Sequence, residues 1–188
     1  MRSVLLVAAG VAVFAAVTAS IVVRGRGGGE ADGGEAIGLL DDRQLAIGQP
    51  APVFALPSVR DPGEVVSLAD FHGRAVVVNF YASWCGPCRR ELPDFEAVAQ
   101  EFRDDVVFVA VNVQESRSDA LGILEETGVT FSAVLDSDGG VARRYGLRGM
   151  PSTYLLDREG VVRKIGPGAI DAAGLRQALQ EILGQAPE

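Results

Sequence analysis

Cysteine is nearly absent from this 188-residue chain: Cys85 and Cys88 are the whole complement, and histidine and tryptophan occur once each. Two sulfurs and one imidazole fall short of the four ligands a structural zinc site takes, so no metal is expected in a single chain. No cysteine follows the N-terminal apolar run, which excludes lipid attachment there. Lysine is equally scarce, one against sixteen arginines, a bias read as genome composition rather than chemistry. No acidic residue precedes Glu30, and beyond Arg26 the chain carries 25 acidic against 14 basic residues, a net of −11. That balance argues against a phosphate-backbone partner and reads first as solubility. No internal repeat is visible.

Charge is also missing from Ser3 to Val23, 21 residues that as a helix reach about 31 Å at ~1.5 Å per residue, enough to cross a bilayer core. A cleavable signal peptide is the competing reading, because Val17-Thr18-Ala19 offers a small-residue cleavage site. The apolar run continues through Ile21, Val22 and Val23, which favours an uncleaved anchor over residues 1–23. Arg2 points to a cytoplasmic N-terminus, whereas Arg24 and Arg26 argue the other way. A large domain can be translocated despite nearby charges, so a single-pass protein with its domain outside the cytoplasmic membrane is expected, or a secreted one if the segment is cleaved. Residues 24–48, dense in glycine and acidic side chains, read as a flexible tether whose "LLDDRQLAIG" end can form a brief helix or pack on the domain.

Globular patterning begins near Gln49 and runs to Glu188. "APVFALPS" and "EVVSLADF" predict short strands around a turn at "RDPG", and "AVVVNFYA" predicts a fully buried strand. Leu92, Phe95, Val98, Ala99 and Phe102 recur at helical spacing between Cys85 and Asp104, with a kink expected at Pro93. "VVFVAVNV" and "FSAVLD" read as strands, and "DALGILEETG" and "GGVARRYG" as helices closed by Gly128 and Gly146. "STYLLD" and "VVRKIG" predict a hairpin, and "DAAGLRQALQEIL" an amphipathic helix with Asp171 near its start. This order predicts an α/β domain with a mixed sheet.

Both cysteines lie where strand runs into helix. Cys85 would sit at the helix N-terminus, where unpaired N–H groups and the helix dipole favour a thiolate. A disulfide to Cys88 would close a very small ring, constraining little unfolded chain and making a weak staple. Redox exchange suits the pair better: a low-pKa thiolate attacks a disulfide and the neighbouring thiol resolves the mixed disulfide.

"WCGPC", with "GMPSTYLLDREG" about 65 residues later, resembles the thioredoxin superfamily. "IGQPAPVFALPS", "VVVNFYASWCGPCRRELPDF", "VAVNVQES" and "FSAVLD" narrow the resemblance to membrane-anchored TlpA/ResA-like (CcmG/DsbE-like) thiol-disulfide oxidoreductases, over nearly all of Gln49 to Glu188. The resemblance implies a thioredoxin-like fold: a central mixed β-sheet flanked by helices on both faces, with an N-terminal β-hairpin extension. It implies that Cys85 attacks, Cys88 resolves, Gly86 and Pro87 form the spacer and Trp84 shields the edge of the pair. Pro151, after Met150, matches a cis-proline that faces the disulfide and helps the preceding backbone bind an extended substrate segment. Thioredoxins place a buried Asp six residues before the first cysteine, where this chain has Asn79. An amide cannot take a proton from Cys88, so another base is needed. Glu91 shares a helix face with Cys88 and matches a glutamate of the TlpA/ResA-like pattern; its plainer reading is a first-turn acid favoured by the helix dipole. Arg89 and Arg90 read as solvated, or as raising positive potential near Cys85. His72 reads as a surface or turn residue, Tyr81 as a core aromatic, and Glu115 and Ser116 resemble a family segment near the active-site side with no role that follows from sequence.

The expected function is an anchored extracytoplasmic reductant of protein disulfides, and the resemblance implies apocytochrome c as the specific substrate, during cytochrome c maturation. No cofactor is needed beyond the Cys85–Cys88 disulfide, and a membrane electron donor of the CcdA or DsbD type is the implied partner. A disulfide-forming oxidase is the alternative within the fold, and a non-catalytic binding module the alternative outside enzymology. A peroxiredoxin needs Pro-x-x-x-Thr/Ser-x-x-Cys, and Val78 and Ala82 occupy those places before Cys85.

Overall fold

The computed structural model describes residues 45–184; the expected anchor, the tether up to residue 44 and the last four residues lie outside the described residues. Among the described residues, no helix is long and apolar enough to cross a membrane. Where the described chain begins, Leu45 is buried and the Gly48 N–H donates to the Val162 carbonyl at 2.8 Å, so the end of the expected tether packs on the domain.

A two-stranded antiparallel hairpin, β1 (Ala55–Pro57) and β2 (Val65–Ser67), comes first and is followed by a 3-10 turn over Leu68–Phe71. The main sheet holds β3 (Ala75–Tyr81), β4 (Val106–Val113), β5 (Ser132–Asp136), β6 (Ser152–Leu156) and β7 (Val162–Pro167) in the order β5-β4-β3-β6-β7. β3, β4 and β5 are mutually parallel, joined through α1 (Gly86–Glu101) and α2 (Arg117–Thr127); β6 and β7 run antiparallel. A short α3 (Gly140–Arg144) precedes β6, and α4 (Ala172–Leu183) ends the described chain.

β3 is the central strand, and every one of its residues is buried because both of its faces are covered. Val76, Val78 and Phe80 pack with the hairpin and with Val141 and Ala142 of α3. Ala75 and Val77 point to the other face, against Phe95 and Val98 of α1 and Leu175 and Leu179 of α4. Tyr81 continues that face against Leu92 of α1 and Ala120 and Ile123 of α2. The expected mixed sheet with helical layers on both faces and an N-terminal hairpin is therefore the observed architecture.

Local chemistry sets the helix ends. Ser116 accepts the Asp119 N–H at the start of α2, Gly128 closes that helix at φ 72°, and Asp171 accepts the Gly174 N–H at 2.8 Å to start α4. Helix α2 begins at Arg117, two residues before its expected start, because Ser116 is the cap. Pro93 lies inside α1.

Candidate active site

β3 ends at Tyr81 and α1 begins at Gly86, so four residues carry the chain from the middle of the sheet to a helix N-terminus. Cys85 is the N-cap residue: its backbone is extended, and its Sγ accepts the Cys88 N–H at 3.2 Å. The two sulfurs are bonded at 2.02 Å. That N–H is one of the donors a helix start leaves without an intrahelical partner, and the helix dipole adds to its pull on negative charge. When the disulfide is reduced, this geometry favours a thiolate at Cys85.

Exposure separates the neighbours. Cys85 is 3% exposed and Cys88 fully buried, whereas Trp84 is 70% exposed. Gly86 and Pro87 are exposed in the first turn. Met150 packs, half-buried, against the cluster that holds both cysteines, and the Met150–Pro151 peptide bond is cis. Pro151 is buried and its carbonyl accepts the Gly168 N–H at 2.9 Å. The structure thus gathers Trp84, the two cysteines, the spacer and the Met150–Pro151 segment at one end of the sheet.

Glu91 is no ordinary first-turn acid. It is 3% exposed on the face of α1 turned to the sheet, the same face as Cys88. Its Oε1 accepts the Asn79 side-chain amide at 2.9 Å and its Oε2 accepts the Ile170 N–H at 3.2 Å. Burial disfavours the carboxylate and outweighs both hydrogen bonds, pushing the pKa up from 4.5 to about 7. Asn79 also donates to the Thr153 hydroxyl at 3.1 Å, across the β3–β6 register, and its own Oδ1 is buried without a partner among the described residues. Asn79 is therefore the donor that orients the glutamate.

A second group meets at Ser83, two residues before Cys85. The Ser83 N–H donates to Glu115 Oε2 at 2.7 Å, its hydroxyl donates to Oε1, and Asn112 donates to Oε2 at 2.7 Å. Arg89 departs from expectation: it pairs with Glu126 and donates to the Ser83 carbonyl at 2.8 Å, because α1 and α2 run side by side with these side chains facing. Its guanidinium is thus shared between the Glu126 carboxylate and the Ser83 carbonyl. Arg90 is exposed. His72 is exposed at the end of the 3-10 turn, and Tyr81 is buried with its hydroxyl donating to the Ala120 carbonyl at 3.3 Å. Sequence reasoning passed over Thr153, Ser83, Asn112 and the Ile170 N–H, whose parts depend on sheet register and loop packing. The only signal for Glu115 was its place in a motif.

A mixed five-stranded sheet with a Cys-x-x-Cys disulfide at the head of its central helix and a cis-proline beside it defines a thioredoxin-fold redox protein. The AhpC/TSA family model matches residues 47–165, and the chain belongs to that family, among its ResA- and DsbE-like thiol-disulfide oxidoreductases. It is 34% identical to the thiol-disulfide oxidoreductase ResA of Geobacillus thermodenitrificans over 139 residues, 73% of this chain and 79% of that one. It is 33% identical to the thiol:disulfide interchange protein DsbE of Pseudomonas aeruginosa, over 74% of this chain and 76% of that one. A crystal structure of a thiol:disulfide interchange protein of the thioredoxin family from Chlorobium tepidum superposes with a TM-score of 0.66 at 26% identity, covering 74% of this chain and 99% of the other. Val78 and Ala82, the places where a peroxiredoxin needs proline and a hydroxyl, are fully buried apolar residues.

Proposed function

We propose that this chain is a membrane-anchored, extracytoplasmic reductant of disulfides in partner proteins, with the Cys-x-x-Cys of apocytochrome c as its substrate during cytochrome c maturation. The observation that carries the reading is Glu91, buried on the helix face of Cys88 with a proton affinity near neutral. A base with a pKa near the working pH is matched to exchanging a proton with a thiol. Cys85 thiolate attacks one sulfur of the partner disulfide, forming a mixed disulfide and expelling the partner's other sulfur as a thiolate. Cys88 passes its proton to the Glu91 carboxylate and attacks Cys85 Sγ. The Cys85–Cys88 bond forms, the bond to the partner breaks, and the second partner sulfur leaves as a thiolate. Two electrons pass from the pair to the partner, whose thiolates take up two protons, one of them returned from Glu91. A membrane dithiol donor of the CcdA or DsbD type then reduces the pair again by the same exchange.

Trp84 and the Met150–Pro151 backbone are the surfaces against which the extended partner segment lies, with Gly86 and Pro87 leaving room for it. The uncharged run over residues 3–23 supports anchoring, and the Gly-Pro spacer supports the reducing direction, since thioredoxin lies at about −270 mV. The test is the equilibrium potential of the pair in the full chain in detergent micelles, followed by Trp84 fluorescence in a thiol-disulfide buffer and checked by alkylation. A potential near or below about −250 mV is expected; one nearer about −120 mV turns the reading into a disulfide-forming oxidase.

A further inference from the structure

Three residues before Cys85's own neighbour on the helix, the Ser83 peptide is gripped from both sides by charged groups. Its N–H and its hydroxyl are held by the Glu115 carboxylate, the N–H at 2.7 Å, and its carbonyl is held at 2.8 Å by Arg89, which is itself fixed by Glu126. Glu115 is braced from below by the amide of the fully buried Asn112 at 2.7 Å. The residue just before Glu115 is the one non-glycine among the described residues with a left-handed backbone, Gln114 at φ 56°. Such a conformation is uncommon outside glycine and persists where the surroundings impose it. It turns the chain straight after β4, between Val113 and the Ser116 cap of α2, and delivers Glu115 to the Ser83 loop.

We propose that Glu115 and Arg89 clamp the Ser83 peptide and thereby position Trp84 and Cys85 for attack, with Glu115 as the positioning residue. This rests on the reading of Cys85 as the attacking sulfur. The loop from Ala82 to Cys85 must stay still while Cys85 cycles between disulfide, thiolate and mixed disulfide, yet Trp84 in its middle is exposed and has little packing to hold it. Charge-assisted contacts on the two peptide units that flank the Ser83 Cα, one from the β4–α2 turn and one from α1, supply the restraint that packing does not. A glutamine at position 115 has a single acceptor oxygen for three donors, so the grip loosens without emptying the site. It also removes a negative charge near Cys85, which lowers the proton affinity of the thiol.

The experiment compares the full chain in micelles with Glu115→Gln, Glu115→Ala and Arg89→Gln. Three quantities are read: the pH-independent rate constant of the reduced protein with a small aromatic disulfide, the pH midpoint of Cys85 alkylation, and Trp84 fluorescence anisotropy. Expected for Glu115→Gln is a roughly tenfold lower rate constant, a lower alkylation midpoint and faster Trp84 depolarisation, with Arg89→Gln sharing the first and third. Should Glu115→Gln and Glu115→Ala melt earlier but keep the parent's rate constant and Trp84 anisotropy within twofold, Glu115 only braces the loop and the clamp is overturned. Preferential alkylation of Cys88 in the parent would defeat the assignment of Cys85 as attacker instead; the clamp is then judged on Trp84 anisotropy alone.

Discussion

Asn79 and Glu91, twelve residues apart in sequence, are joined by a buried 2.9 Å hydrogen bond from the amide to the carboxylate. The amide reaches Glu91 from the central strand while the Ile170 N–H reaches it from the segment before α4, so three parts of the chain meet on one carboxyl group. Two donors stabilise the ionised form, yet dehydration wins, and the group binds a proton near neutral pH.

That balance makes stability depend on pH. Between pH 4.5 and about 7 the folded protein holds a proton on Glu91 that the unfolded chain has released, so stability falls as pH rises through this window. At ~1.4 kcal/mol per pKa unit the loss is roughly 3 kcal/mol. Glu91→Gln is expected to flatten this part of the curve, measured as denaturant midpoints of the oxidised protein at several pH values. An unchanged slope would mean that the glutamate is solvated in solution. The same variant is expected to slow release of a mixed disulfide near pH 7, because Cys88 loses its proton acceptor.

Asn79→Asp places a second carboxyl group against Glu91 Oε1 and removes the donor shared with Thr153. Two carboxylates at hydrogen-bond distance do not both ionise readily, so one proton is retained to higher pH. The expected outcome is a variant close to the parent in stability at pH 5 and markedly weaker at pH 8. Parallel stability curves for parent and variant would show that the two groups do not face each other.

Cys88→Ser is expected to accumulate mixed disulfides through Cys85, visible as dithiothreitol-sensitive higher-mass species on non-reducing gels of membrane extracts. Cys85→Ser should give few, since Cys88 is fully buried. Equal trapping by both variants would reverse or abolish the assigned order of attack.

Asp136, 1% exposed at the end of β5, accepts the Val141 N–H at 3.1 Å and the Ala142 N–H at 2.8 Å, capping α3. Asp136→Ala leaves both donors without their acceptor and is expected to cost about 2 to 3 kcal/mol, with Asp136→Asn losing less. α3 packs on the face of β3 away from the cysteines, so the potential of the pair should stay that of the parent. A shifted potential in Asp136→Asn would show that α3 is coupled to the redox site.

Much of the framework was readable because it is local. "AVVVNFY" is a strand buried on both faces, Gly128 permits a left-handed closure, Asp171 caps a helix, and a CxxC pair at a strand-to-helix junction meets unpaired N–H groups. Each of these follows from residues within a few positions of one another, where spacing and chemistry suffice. Arg89 resisted the same treatment: nothing near it in sequence announces Glu126 on α2 or the Ser83 carbonyl.

The order of elements, the redox chemistry of Cys85 and Cys88 and the candidacy of Glu91 can all be deduced from the chain as written. What the chain as written leaves undecided is the state of the groups around the pair. Glu91 gains its proton affinity from dehydration between α1 and the sheet, Asn79 becomes its donor through the placement of β3 beneath α1, and Glu115 finds Ser83 through a left-handed turn after β4. Proton affinity and positioning depend on solvent access and on distances between residues remote in sequence, and those quantities come into being when the layers close around the site.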